Sequence, residues 1–110
     1  MAKGMSRMHI VVLITAGRRL EAGRISKALV ESRLAACVTS VDNVSSLFRW
    51  KGKLEAGRET VLIAKSQRSK LPGIVKLVKS LHSYSVPEII ALPVIGGNGD
   101  YLDWIDESVR

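Results

Sequence analysis

Few side chains in this sequence are of a type, and in a setting, to do chemistry. Cys37 is the only cysteine and sits in Leu34-Ala35-Ala36-Cys37-Val38. A thiolate is a nucleophile and a soft metal ligand, but apolar neighbours keep a thiol inert, and no CxxC or CxxH spacing accompanies it. Cys37 therefore reads first as a small core hydrophobe. His82 lies in Leu81-His82-Ser83-Tyr84-Ser85-Val86-Pro87-Glu88, just after an apolar helical stripe. An imidazole there can cap free carbonyls, or it can ligate a metal with Glu88 six residues on. His9, within a run of β-branched residues, reads as structural. Glu59 and Lys65 stand six apart on a predicted strand and so point to one face. On a solvated face they carry no message; buried between subunits, such a pair marks a site or a register device. Thr15-Ala16-Gly17-Arg18-Arg19 leads from a strand into a helix, where backbone amides can hold an anion, but no Walker or Rossmann glycine pattern is present. There is no G-x-S-x-G, no HExxH and no spaced Ser/His/Asp set.

The elements that must position these residues follow from periodicity. Met8 to Thr15 is continuously apolar, as in a strand buried on both faces. Leu20 to Ala35 gathers Ala22, Ile25, Leu29 and Ser32 on one helical face. Cys37 to Trp50, rich in Val, Thr, Ser and aromatics, predicts a strand with a bend at Asp42-Asn43. Lys51-Gly52-Lys53 turns the chain, and Glu59 to Ser66 returns as the partner strand. Ser69 is placed to cap a second helix with Pro72 in its first turn and a stripe of Leu71, Ile74, Leu77, Val78 and Leu81. Pro87 ends that pattern before a short strand, Glu88 to Val94, whose Pro93 marks an edge. Beyond Gly96-Gly97-Asn98-Gly99 a last short helix starts at Asp100. The order β-α-β-β-α-β plus a C-terminal helix predicts an α+β, ferredoxin-like sandwich. Residues 1–7 are expected to be a flexible tail, and 8–110 a single domain.

With 110 residues, 46% hydrophobic and 25% charged, the chain can bury one core without disulfide or metal, which excludes intrinsic disorder. The longest apolar run, Ile10 to Ile14, is too short to cross a bilayer, and no small-residue cleavage site follows it. With a single cysteine besides, a cytoplasmic protein without a membrane partner is expected. The net charge of +7 suits phosphates, yet the basic residues are scattered and no run reaches five. One length does not suit a monomer. The 14 residues of Cys37 to Trp50 reach about 45 Å when extended, whereas a globule of this size is about 34 Å across. The hairpin must bend sharply or project, and a projecting strand bearing Val, Leu, Phe and Trp needs a partner. Self-association is the expected solution.

Several segments, in order and spread from about Ile10 to Ser108, resemble the CutA divalent-ion-tolerance family. They are Leu34 to Val38, Ser46-Leu47-Phe48-Arg49-Trp50-Lys51-Gly52-Lys53, Glu59 with Lys65, His82 to Ile89, and Asp100-Tyr101-Leu102-Asp103-Trp104. The resemblance implies a ferredoxin-like subunit in a compact homotrimer that binds copper or other divalent cations and takes part in metal-ion tolerance, with no catalytic activity. It implies His82 and Glu59 as metal ligands, and Lys65, Tyr84, Glu88, Trp50 and Cys37 around a pocket at the subunit interface. The chain also departs from the family. Where members usually carry a proline and acidic residues after the first strand, it has Gly17-Arg18-Arg19; a strand 1 cysteine of some members is Ile14; the familiar His-Pro-Tyr reads His82-Ser83-Tyr84. Without that cysteine, copper should be held weakly.

Other functions fit less well. RNA-recognition domains share this topology but stack bases on sheet aromatics, and Glu59 to Ser66 has none, so nucleic acid is a disfavoured partner. A small acylphosphatase-like enzyme would need a glycine-rich phosphate loop that is not evident. A trimeric sensor of nucleotides or other small molecules stands as the alternative from the signalling class.

Overall fold

A computed structural model describes residues 8–110; the tail expected over 1–7 lies outside the described residues. The elements are β1 (His9–Ala16), α1 (Arg19–Glu31), β2 (Cys37–Trp50), β3 (Lys53–Gln67), α2 (Leu71–Leu81), β4 (Ile89–Pro93) and α3 (Gly99–Ser108). The four strands form one antiparallel sheet in the order β2-β3-β1-β4, the ferredoxin-like arrangement, with β4 on an edge as Pro93 demands.

Alternation sorts the two sheet faces. Ile10, Val12 and Ile14 of β1 and Leu62 and Ala64 of β3 point to one side and are buried. There they meet Ala22, Ile25 and Leu29 of α1 and Ile74 and Val78 of α2, which together form the core. The opposite face carries Val11, Leu13, Val61, Ile63, Ile90 and Leu92, apolar yet only partly covered. Ile90 and Leu92 are 52% and 48% exposed. α3 lies against one end of this second face. His9 Nε2 donates to Asp106 Oδ1 at 2.9 Å, Gln67 Nε2 donates to the same oxygen at 2.7 Å, and His9 and Gln67 are register partners. His9 thus has the structural role expected of it.

The hairpin projects and bends. Its strands run 14 and 15 residues, and the long axis of the molecule is 49 Å against 25 and 22 Å for the others. The register slips between Val41 and Val44, so that Asp42 and Asn43 bulge, and Asn43 adopts a left-handed φ of 58°. Thr60 Oγ1 donates to Asp42 and so fills the gap from the opposite strand. At the tip Lys51 and Gly52 both have positive φ, the conformation of a two-residue turn matched to strand twist. Beyond the bulge, Leu47, Phe48, Trp50 and Leu54 are exposed.

Three local expectations are corrected. α1 ends at Glu31, not Ala35: Arg33 turns left-handed at φ 61°, and the amides of Leu34 and Ala35 fold back onto the Leu29 carbonyl. Ser69 does not cap α2; it lies in a 3-10 turn, Arg68–Lys70, and the N-cap position is Lys70 with no side-chain bond. β3 begins at Lys53, six residues before Glu59.

Candidate functional site

The irregular segment 82–88 between α2 and β4 crosses the end of the sheet, and polar bonds hold it there. The His82 side chain is fully buried. Its Nε2 lies 2.6 Å from the Thr15 carbonyl, so it carries the proton and donates. Nδ1 is then the acceptor for the Tyr84 amide at 3.1 Å. Ser83 Oγ donates to Glu21 Oε2 at 3.1 Å, which satisfies a carboxylate that α1 buries in its first turn. Tyr84 crosses the sheet end and donates from its hydroxyl to Glu59 Oε2 of β3 at 2.9 Å. Partial burial, then the Glu59 carboxylate, push the Tyr84 phenol up to about 12.

Gly17 makes this path possible. A Cβ there would stand 2.7 Å from the Tyr84 hydroxyl. The loop after β1 therefore needs glycine for a close approach, not for an unusual backbone angle.

Tyr84 and Glu59 open onto a cleft of about 600 Å³. Ser46, Phe48 and Trp50 of β2, Thr15 of β1, and Ser85, Val86 and Glu88 of the 82–88 segment complete its walls. Of the residues singled out from sequence, the structure thus brings Glu59, Tyr84, Glu88 and Trp50 together. His82 stands behind them with both ring nitrogens engaged, and its side chain does not cap α2; its extended backbone (ψ 139°) aims the ring at β1. Lys65 and Cys37 are register partners at the other end of β3, roughly 20 Å from Glu59 at strand spacing. Lys65 Nζ donates to Thr39 Oγ1 at 2.8 Å. Cys37 is half-buried, and its sulfur lies 3.5 Å from the Tyr101 hydroxyl. That contact, ahead of partial burial, raises the Tyr101 phenol above its ordinary value.

Sequence reasoning missed Glu21, Ser83 and Gly17. Glu21 is a charge on the first turn of α1, and only the burial of its neighbour Ala22 beside Ile25 puts position 21 at the edge of the core.

The donor set is one of oxygens. Glu59 and Glu88 supply carboxylates, Thr15, Ser46 and Ser85 hydroxyls, and Tyr84 a phenol that keeps its proton. Among the described residues no three His, Cys, Asp or Glu side chains converge as a ligand set. Ile14 points into the helix-covered core and is 0% exposed. Such residues fit a weakly held cation, not a tight thiolate–imidazole copper centre.

Comparison with known proteins agrees with this architecture. Residues 10–108 match the family model described as CutA1 divalent ion tolerance protein. The divalent-cation tolerance protein CutA of Thermus thermophilus is 46% identical over 101 residues, 92% of this chain and 98% of that one. A solved structure from Archaeoglobus fulgidus, described as a periplasmic divalent cation tolerance protein CutA, superposes with a TM-score of 0.91 at 44% identity, covering 94% of this chain and 100% of the other. The chloroplastic CutA of Arabidopsis thaliana is 39% identical over 92% of this chain, which spans only 56% of that longer protein. The chain belongs to the CutA1 divalent ion tolerance protein family.

Proposed function

We propose that this chain acts in divalent-cation tolerance as a homotrimer in the cytoplasm, binding the cation weakly and without catalysis at the cleft beside Glu59. The observation that carries the reading is the meeting of Glu59 and Glu88 at one cleft, with Tyr84 tying the hairpin to the 82–88 segment. Glu59 and Glu88 would hold the ion, which would supply positive charge between two carboxylates. Oxygen donors favour hard and borderline ions, and copper would be among the cations bound without being selected. For His82 to join as a ligand it must give up the Thr15 carbonyl or the Tyr84 amide, so its role is to position Tyr84.

Trimer formation is supported by two surfaces that a lone subunit leaves open. They are the apolar second face of the sheet and the hairpin end bearing Leu47, Phe48 and Trp50. A neighbour covering them would remove apolar area and two unpaired strand edges at once. Lys65 and Cys37, on the same face as Glu59 but distant along β3, would reach a cleft only across such an interface.

Calorimetric titration of Cu²⁺ and Zn²⁺ into wild type and Glu59→Gln tests the site. Weak binding by wild type that falls at least tenfold in the variant is expected. Equal binding by both proteins would remove Glu59 from the cation site.

A further inference from the structure

Basic residues that lie scattered along the sequence come together on the helix layer. α1 exposes Arg24 and Lys27, and α2 exposes Lys76 and Lys79. The two helices lie side by side and antiparallel. Ser83, just past α2, bonds Glu21 in the first turn of α1, and a Cβ on Gly73, near the start of α2, would stand 2.8 Å from the Leu34 side chain just past α1. Axes packed at about 8–10 Å, with neighbours one turn apart at about 5–6 Å, put the four cations in one patch. None of the four forms an ion pair among the described residues. The acids are elsewhere. Four of the ten Asp and Glu lie on α3, and α2 has none. α1 has Glu31 near its end and Glu21, which is buried and bonded to Ser83. Like charges one turn apart cost helix stability rather than add to it, so folding alone does not account for the segregation. The layer covers the sheet face opposite the one that the proposed trimer closes, so assembly leaves the patch in solvent. Closed threefold symmetry repeats it three times, facing outward in three directions.

We propose that this helix face binds a flexible linear polyphosphate, held by charge and passing from one subunit's patch to the next. The surface shares no residue with the cation cleft. Phosphate oxygens accept charge-assisted hydrogen bonds from Lys and Arg, and a chain of them answers a patch of cations. The rest of the surface argues against other polyanions. Single-stranded nucleic acid is gripped by stacking on aromatic side chains, and neither helix carries one. A protein partner needs apolar or aromatic anchors at the centre of its interface, and an anionic membrane takes up an apolar stripe. Here the exposed apolar side chains Leu20, Val30 and Leu81 stand at helix ends rather than among the cations. A flat membrane or a stiff duplex also reaches only one of three outward faces. A flexible chain bends round the trimer, and each patch after the first is bound at high effective concentration.

The test titrates linear inorganic polyphosphate, in chains longer than the 49 Å axis of a subunit, into the assembled protein over a series of salt concentrations. Calorimetry gives affinity and amide NMR shifts give location. Binding should shift α1 and α2 and weaken with salt, with a log–log slope of about −3 for four phosphate contacts per patch. Tripolyphosphate, too short to bridge subunits, should bind at least tenfold more weakly. Lys76→Glu with Lys79→Glu should lose at least tenfold, and both positions are exposed helix sites that glutamate suits. Single Lys79→Glu should lose at least threefold, whereas Arg110→Glu, the same change in net charge at the chain end, should lose less than twofold. An equal loss in Arg110→Glu would show a response to net charge and overturn the patch. No binding of the long chain, or shifts outside α1 and α2, would overturn the proposal. So would tighter binding, at equal phosphate, of an oligothymidine, a DNA duplex or phosphatidylserine vesicles.

Discussion

Replacing Gly17 by alanine isolates the contact that seats Tyr84. The backbone at Gly17 is compatible with any residue, so the substitution tests space alone. The new Cβ would lie 2.7 Å from the Tyr84 hydroxyl, where ordinary contact begins at 3.4 Å. The hydroxyl must retreat by about 0.7 Å, and a 2.9 Å bond to Glu59 does not survive a displacement of that size away from the carboxylate. Because the moving atom is the end of a side chain, the fold should hold. A hydrogen bond to a carboxylate at a site 39% exposed contributes about 1 kcal/mol or less. The readout is the Tyr84 phenol, followed by ultraviolet tyrosinate absorbance in a Tyr101→Phe background. In wild type it should titrate near 12, and in Gly17→Ala it should fall part of the way toward 10, because burial, the larger cause, remains when the Glu59 bond is lost. The sign of the linked stability follows. The folded state holds this proton more tightly than the unfolded chain, so Tyr84 leaves stability unchanged below pH 10 and lowers it as pH rises from about 10 to about 12. Gly17→Ala should flatten that alkaline loss. A variant phenol still titrating near 12 would refute the contact.

Light scattering at micromolar protein should give a mass near three times 12.0 kDa, and a stable monomer there would sink the trimer. His82→Ala removes a fully buried ring and its bonds to Thr15 and Tyr84, and should cost about 3 kcal/mol in urea unfolding; a cost below about 1 kcal/mol would show that the ring is not a structural anchor. Cys37→Ala should leave divalent-cation affinity unchanged while the Tyr101 phenol drops back toward 10, because its sulfur contact is lost. Loss of cation binding in that variant with stability intact would make Cys37 a ligand.

Where burial imposes a period, the residues announce their elements. Cys37 to Trp50 reads as one strand to its last residue because Lys51-Gly52 supplies the turn. The first half of β3 was not legible: Leu54 to Arg58 projects beyond the sheet's packed region, so neither face is buried and no alternation is written there. α1 was read four residues too long because Arg33, not glycine, takes the left-handed position that ends it. At the site, spacing placed Glu59 and Lys65 on one face, and the register agrees. It could not tell that six residues of strand separate them too far to meet within one subunit. Gly17 and Tyr84 are 67 positions apart, and nothing local in either segment signals that they touch.

The 82–88 segment has a kinetic consequence. It lacks regular structure, yet His82 fastens it to β1, Ser83 to α1 and Tyr84 to β3, all of them distant from the segment in sequence. A connection stitched at three points does not flap as a lid on the nanosecond scale of free loops. Its opening must break those bonds first, a local event that costs more than the motion of an untethered loop. The Tyr84 amide, closed onto the His82 ring, should therefore exchange with solvent more slowly than the amides of Ser85 and Val86.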